Sequence, residues 1–360
     1  MRRQNNLFCL MAIFYGVIMS RSFVCIFFCF LTACSIAQPA KPEYTAVFQD
    51  VVKHDQESIQ AHMIDKAWEE NPFPGATLMG FISDKERWTE PSKRSIKGDI
   101  HLEEGQPLDY YLSLNVPETT TVLVSILLDY KQIEFELAGK KALLHEFVAE
   151  PGGDLDLPIR LDVEGEGLHD LMAIAFKDPY NMSLDVDYRS SLHGRISGAR
   201  VAVIVGQNDQ PAKSLEPILE GKAVQQDINL RLGVVFATAS KQGHPADLDH
   251  QLYIAQAKAG TVFDFQIWVS NQGIERAYEY TSLLFLDFHQ QPIQGREVLP
   301  VYLEPDEEAI FDESVQLSQQ PGIYQMQLVH ILDPYRSIDK GEVDAPFVFG
   351  SPRIAIDTRP

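Results

Sequence analysis

Three hundred and sixty residues suffice for about two domains of ordinary size, each able to bury a core without disulfides or metals. The chain is 45% hydrophobic, 10% aromatic and 22% charged, which excludes the disordered and fibrous classes. Fifty-one acidic against 30 basic residues give a formal charge of -21, and the field of such a surface repels phosphate backbones, so no nucleic-acid partner is expected.

Residues 1–34 stand apart in chain order. They hold Arg2, Arg3 and Arg21, no acidic residue, and all four cysteines, Cys9, Cys25, Cys29 and Cys34. Loss of a leader would leave Cys34 alone and no disulfide framework within one chain. Phe23 to Leu31 is a continuous apolar run that leads into Leu31-Thr32-Ala33-Cys34, with small residues ahead of a cysteine at the expected cleavage point. This pattern resembles a bacterial lipoprotein leader and its lipobox. The resemblance implies cleavage before Cys34, a diacylglycerol on its thiol and an acyl chain such as palmitate on the new amino terminus. Two or three chains anchor durably where one is marginal. A second apolar block, Leu7 to Met19, precedes Ser20-Arg21-Ser22, and a true start at Met19 would leave the compact n-region of an export leader. Removing residues 1–33 takes three arginines and no carboxylate, so the mature chain carries 27 basic and 51 acidic residues. Ser35 rather than Asp follows the cysteine. Within the resemblance that implies the outer membrane, if the cell has one, on its periplasmic or external face.

From residue 34 to about residue 70 the chain reads as a lipidated tether. Ala37-Gln38-Pro39-Ala40-Lys41-Pro42 is polar and stiffened by proline, and the mixed segment that follows reads as a short helix near Asp55 to Trp68. The remainder repeats itself at an offset of about 155 residues. Leu78-Met79-Gly80 matches Leu232-Gly233-Val234, and Leu108-Asp109-Tyr110 matches Phe263-Asp264-Phe265. Leu127-Leu128-Asp129-Tyr130 matches Phe285-Leu286-Asp287-Phe288, and the stretch from Gly167 to Asp178-Pro179-Tyr180 matches that from Gly322 to Asp333-Pro334-Tyr335. Arg200-Val201-Ala202-Val203 finally matches Arg353-Ile354-Ala355-Ile356. Order and spacing are both kept.

Each unit reads as strands. Leu108, Tyr110, Leu112 and Leu114 alternate with polar neighbours, and period two puts alternate side chains on one buried face. Residues 119–124 are mostly β-branched, which suits a pleated surface, and Gly and Pro fall between the runs as turns. The expected fold is all-β: two tandem, internally repeated, antiparallel β-sandwiches at 71–207 and 225–358, each sheet burying one face and wetting the other. A polar linker at 208–224 separates them, with a short helix expected within Ser214 to Ile228. Gly322-Ile323-Tyr324 beside Gly167-Leu168-His169 resembles the late strands of immunoglobulin or fibronectin type III modules. That resemblance implies a scaffold and no ligand.

Candidate sites are sparse. Asp178-Pro179-Tyr180 and Asp333-Pro334-Tyr335 read first as strand-ending turns, because Asp before Pro is confined to extended or turn geometry and its carboxylate accepts nearby N–H groups. The functional alternative has Asp129 with Asp178, and Asp287 with Asp333, converging at one end of each sandwich around a hard cation, although no Asp-x-Asp-x-Asp-Gly loop is present. His244, Asp247, Asp249 and His250 read as a solvated loop, with zinc as the alternative. No nucleophile elbow or phosphate loop occurs, so no catalytic residue, cofactor or metal is assigned and no enzyme is expected. Trp268 and Tyr278, in alternating strands, read as core, with an exposed aromatic platform for carbohydrate as the alternative. The expected function is a lipid-anchored envelope protein that binds another envelope or surface protein as adaptor or accessory subunit. Ligand capture and a lipid-anchored hydrolase are the competing classes.

Overall fold

The computed structural model of the chain describes residues 48–64, 77–89, 99–191, 196–206, 215–217, 219–223, 234–239, 252–273, 275–336 and 348–360. The leader, Cys34 and the His244 to His250 loop lie outside the described residues.

The regular secondary structure of the described residues is nearly all strand, arranged as two immunoglobulin-like β-sandwiches, with strands numbered in chain order. The inner sheet of the first runs β1 (Val51–Lys53), β10 (Leu144–Ala149), β6 (Thr120–Leu128), β12 (Gly167–Lys177), β13 (Ile196–Val205), β4 (Asp99–Leu102), and β7 (Lys131–Ile133) hairpins onto β6. Its outer sheet runs β3 (Leu78–Ile82), β5 (Leu108–Asn115), β11 (Asp154–Leu161), β8 (Phe135–Leu137), β9 (Lys140–Ala142), with β2 (Met63–Ile64) beside β11. In the second sandwich the inner sheet runs β14 (Leu219–Glu220), β21 (Leu299–Leu303), β19 (Tyr278–Leu286), β23 (Gly322–Leu332), β25 (Ile354–Arg359), β17 (Ile254–Lys258). There β20 (His289–Gln291) pairs with β19 and β24 (Val348–Gly350) with β23. The outer sheet is β15 (Lys222–Ala223), β22 (Glu307–Gln316), β18 (Val262–Ser270), β16 (Val234–Ala239).

The strand orders of the two inner sheets correspond one for one, and among the described residues the outer sheets correspond except for β8 and β9 of the first. β1 lies parallel to β10 as β14 does to β21, and β4 lies parallel to β13 as β17 does to β25. Each copy therefore begins with a strand that completes the edge of its inner sheet, followed by a short strand on the outer sheet. These elements fall in stretches that the sequence reads as tether and linker. Residues 51–64 belong to the first sandwich, with α1 (Gln56–Gln60) capped by the Asp55 carboxylate on Ser58 N at 2.7 Å. Within Ser214 to Ile228, where a short helix is expected, residues 219–223 carry β14 and β15, and 214, 218 and 224–228 lie outside the described residues.

Two hairpin turns fix the register of the central strands. Asp129-Tyr130 joins β6 to β7 and Asp287-Phe288 joins β19 to β20, with φ of 51° and 66° and of 46° and 68° respectively. Positive φ at both loop residues is the geometry whose twist matches a two-residue hairpin. Tyr130 and Phe288 accept a left-handed backbone that an L side chain resists at about 1–2 kcal/mol, and both rings are buried.

Three hydrophobic clusters stack along the molecule. One fills the first sandwich around Leu112, Val124, Leu157 and Ala173, and another fills the second around Phe265, Leu284, Phe311 and Leu328. The third joins them: Leu123, Leu127, Met172, Ile174 and Phe176 from the first inner sheet meet Leu283, Phe285, Phe288, Val329 and Ile331 from the second. The inner sheets pack face to face and have no wet face along their central strands, which corrects the expectation of one solvated face per sheet. Both parities of β6 and β12 are apolar for this reason, as in any sheet covered on both sides. Glycine allows the close approach at the margin of this contact. A Cβ on Gly198 of β13 would lie 2.6 Å from Val348 Cβ, and one on Gly350 of β24 would lie 2.5 Å from Ile196 Cγ1.

Candidate functional site

The polar residues that the repeat singles out gather at this seam. Asp129, following β6, receives Asp170 N on Oδ1 at 3.1 Å and faces His169 Nδ1 with Oδ2 at 2.8 Å. Asp287 does the equivalent in the second copy, accepting Gln325 N at 2.8 Å. Burial pushes the Asp287 carboxyl up to about 6, against the opposing Gln325 N–H. Asp178 N donates to Thr121 O at 2.9 Å, and Asp333 N donates to Glu279 O at 2.8 Å. Asp178 thus sits beside the start of β6 and Asp129 beyond its end, eight residues or about 26 Å of strand away. Asp333 and Asp287 flank β19 in the same opposed way. The cation reading, which needs each pair at one end of its sandwich, is corrected by this register. Among the described residues no group of three or more His, Cys, Asp or Glu is set to hold a metal.

What the aspartates do instead crosses from one copy to the other. Arg200 of β13 chelates Asp170 with Nε to Oδ1 at 2.9 Å and Nη2 to Oδ2 at 2.8 Å. The same guanidinium donates to Leu332 O at 2.6 Å and Asp333 O at 2.8 Å in the second sandwich. Tyr335 N also donates to Asp170 Oδ2 at 2.6 Å, the Tyr130 hydroxyl donates to Asp170, and the Tyr130 and Tyr335 rings meet edge to face at 5.2 Å. Burial pulls the Arg200 guanidinium down, and the Asp170 carboxylate outweighs it, so its proton is held more tightly than in water.

A pseudo-twofold related knot stands at the other end. Arg353, immediately before β25, donates to Asp178 O at 3.0 Å and Lys177 O at 2.5 Å, the counterparts of Asp333 and Leu332. Gln325 takes the place of Asp170: its Nε2 donates to Pro179 O, and its Oε1 receives Arg353 Nη1 at 3.3 Å. A second buried guanidinium enters here. Arg189, in α2 (Val186–Ser190), donates to Gln325 Oε1 at 3.2 Å, Ser183 O at 2.8 Å and Asn181 O at 3.1 Å. Burial lowers both Arg189 and Arg353 to about 10. Between the knots, Gln132 N donates to Gln290 Oε1 at 2.7 Å and Gln290 N returns the bond to Gln132 Oε1 at 2.9 Å, as an axis through this point requires.

The remaining candidates disperse. Tyr335 belongs to the first knot, whereas its counterpart Tyr180 is half-buried and donates its hydroxyl to Glu146. Trp268 is 0% exposed and donates Nε1 to Glu308 Oε2 at 2.9 Å, with Glu308 itself 3% exposed. Tyr278 lies on the other sheet of that sandwich, with Arg276 over its ring at 4.3 Å. Trp268 and Tyr278 therefore form no common platform, which corrects the carbohydrate alternative as placed on that pair. Among the described residues the indole that faces solvent is Trp88, 60% exposed in a 3-10 turn (Glu86–Trp88). Arg200 and Arg353 carry a signal that sequence could supply, a cation at the same place in each repeat within a run of buried apolar residues.

No family model matches the chain, and no curated protein matches it. Three solved structures show distant likenesses. A CARDB domain from Pyrococcus furiosus in complex with di-metal ions is 8% identical, covering 37% of this chain and 95% of its own, at a TM-score of 0.23. Red sea bream transglutaminase is 7% identical over 74% of this chain and 32% of its own, at 0.20. Salmonella alpha-2-macroglobulin reacted with methylamine is 12% identical over 73% of this chain and 16% of its own, at 0.24.

Proposed function

We propose that the chain is a lipid-anchored protein of the bacterial envelope that serves as a binding, adaptor or accessory module for another envelope or surface protein. The observation that carries this reading is the seam. Two sandwiches joined through a third hydrophobic cluster and two arginine knots make one body with its inner sheets hidden, so loops, strand edges and the outward faces of the outer sheets are what remain for a partner. Edge strands accept a partner through main-chain hydrogen bonds. The acidic surface steers basic partners and adds salt sensitivity more than affinity. Cys34, at the end of the apolar leader, is the anchor.

Two experiments test the two halves of the reading. Cys34→Ser should move the protein from the membrane fraction to the soluble one and abolish incorporation of labelled palmitate, and an unchanged distribution contradicts the anchor. A tagged, intact lipoprotein purified from native membranes should retain a stoichiometric protein at low salt and release it at high salt. Recovery of the lipoprotein alone at both salts contradicts the adaptor role.

A further inference from the structure

The chain enters the body through a strap, residues 48–54, that touches both sandwiches. Val51, Val52 and Lys53 pair in parallel with Leu144, His145 and Glu146 of β10, and His54 N donates to Glu146 O at 2.8 Å. Phe48 stacks on Tyr180 at 5.1 Å and meets Phe288 of the second copy edge to face at 4.9 Å. Lys53 Nζ lies 3.1 Å from Glu146 Oε1 and 4.7 Å above the Tyr180 ring.

The strap ends in two buried imidazoles, tilted by 36° to each other. His54 Nε2 lies 2.9 Å from His145 Nδ1, and His145 Nε2 lies 3.0 Å from Phe135 O. A carbonyl only accepts, so His145 Nε2 carries a proton, its Nδ1 is the acceptor, and His54 Nε2 donates to it. His54 Nδ1 is then a bare lone pair, buried without a hydrogen-bond partner. The relay satisfies two neutral rings, and a further proton on His54 Nδ1 has no acceptor.

The surrounding charges agree. Around His54 stand Lys140 of β9, whose Nζ lies 3.4 Å from Lys53 O, and His62 beyond α1, both opposing protonation, with Asp55 favouring it; at His145 the Phe135 and Ala142 carbonyls favour the proton, and burial outweighs them. Glu146, on the next residue of β10, is engaged by Lys53 and Tyr180. Burial and the His145 ring push His54 down to about 4, and burial lowers His145.

We propose that residues 48–54 form an acid-released strap, in which protonation of the His54–His145 relay detaches β1 from β10 and Phe48 from Phe288. The sign follows from linkage. The attached strap holds the histidines neutral, the detached strap lets them return to about 6.5, and acid drives detachment progressively from about 6.5 toward 4. Release exposes the edge of β10 and adds seven residues, about 24 Å when extended, to whatever precedes the body. The second consequence rests on the anchoring proposed above, whereas the release itself does not.

The test is hydrogen exchange read by mass spectrometry on the mature protein in detergent, at pH 7.5 and pH 4.5, corrected for the intrinsic pH dependence of exchange. Protection of the peptide over 48–54 should fall at least tenfold in acid while that over β12 holds. Unchanged strap protection overturns the proposal. In the double variant His54→Gln, His145→Gln, protection should be the same at both pH values. Acid release that persists in that variant also overturns it and assigns the effect to Glu146 and Lys53. If the double variant is unprotected at both pH values, the pair is confirmed as what holds the strap. Failure of the Cys34 fractionation leaves these readouts untouched, so the two proposals fail separately.

Discussion

At one end of the seam a carboxylate answers a buried guanidinium, and at the other an amide faces two. Asp170 neutralises Arg200 through both oxygens and still accepts Tyr335 N and the Tyr130 hydroxyl. Gln325, at the equivalent place, gives Arg353 and Arg189 one neutral oxygen, and backbone carbonyls take the remaining donors apart from Arg353 Nε. The geometry that crosses between the copies is the same, because each arginine reaches the carbonyls that precede the other copy's Pro-Tyr pair. The electrostatics differ. A bidentate pair is fixed in angle as well as charge, whereas guanidiniums resting on carbonyl dipoles lose hydration without a full countercharge. The first knot should therefore hold the seam, and the second should tolerate change.

The sharpest way to break that comparison is Asp170→Asn, which gives the first knot the chemistry of the second. Arg200 is left buried without its carboxylate, and the loss should be about 3–5 kcal/mol in urea unfolding. Arg353→Met should cost less, about 1–3 kcal/mol, because it removes hydrogen bonds to carbonyls while relieving an uncompensated buried cation. Equal losses for the two variants would refute the asymmetry. Gly198→Val tests the contact itself: its Cβ would fall 2.6 Å from Val348 Cβ, and overpacking of that kind costs about 1–3 kcal/mol.

Asp287 sharpens the comparison through pH. Its carboxyl is raised in the folded protein to about 6, so the native state binds the proton more tightly than the unfolded chain. The contribution is fully present below the unfolded value near 3.9 and is lost as pH rises through 6. Asp287→Asn keeps an acceptor for Gln325 N and should raise stability at pH 7.5 by about 1–2 kcal/mol, with little change at pH 4. Lys53→Ala is the smallest effect expected, since the Lys53 side chain is mostly exposed and its pair with Glu146 is worth less than about 1 kcal/mol.

Much of the fold was legible because strand chemistry repeats. The alternation of β5 gives one buried face, the Asp-aromatic pairs that close β6 and β19 mark equivalent hairpins, and Arg200 with Arg353 closes each copy. The two-sided burial of the inner sheets was also written in β6 and β12, whose apolar residues run on without alternating. Pairing the copies says which residues are equivalent but not that the turn of one docks on the arginine of the other, so the Asp-Pro-Tyr motifs read as local turns. Trp268 read as core and is core, although strand parity alone argues against it. Its parity places it on the outer face of β18 with the exposed Val262, yet it is fully buried against Glu308. β1 and β14 were hidden because three-residue and two-residue strands carry no period.

The most direct test of the central claim, that two repeats are joined into one body, is urea titration followed by hydrogen-exchange labelling at each concentration. Peptides from β5 in the first sandwich and β18 in the second should lose protection at one shared midpoint, and Asp170→Asn should separate them into two. Distinct midpoints in the wild-type protein would contradict the account, because the seam would then contribute too little to couple the copies.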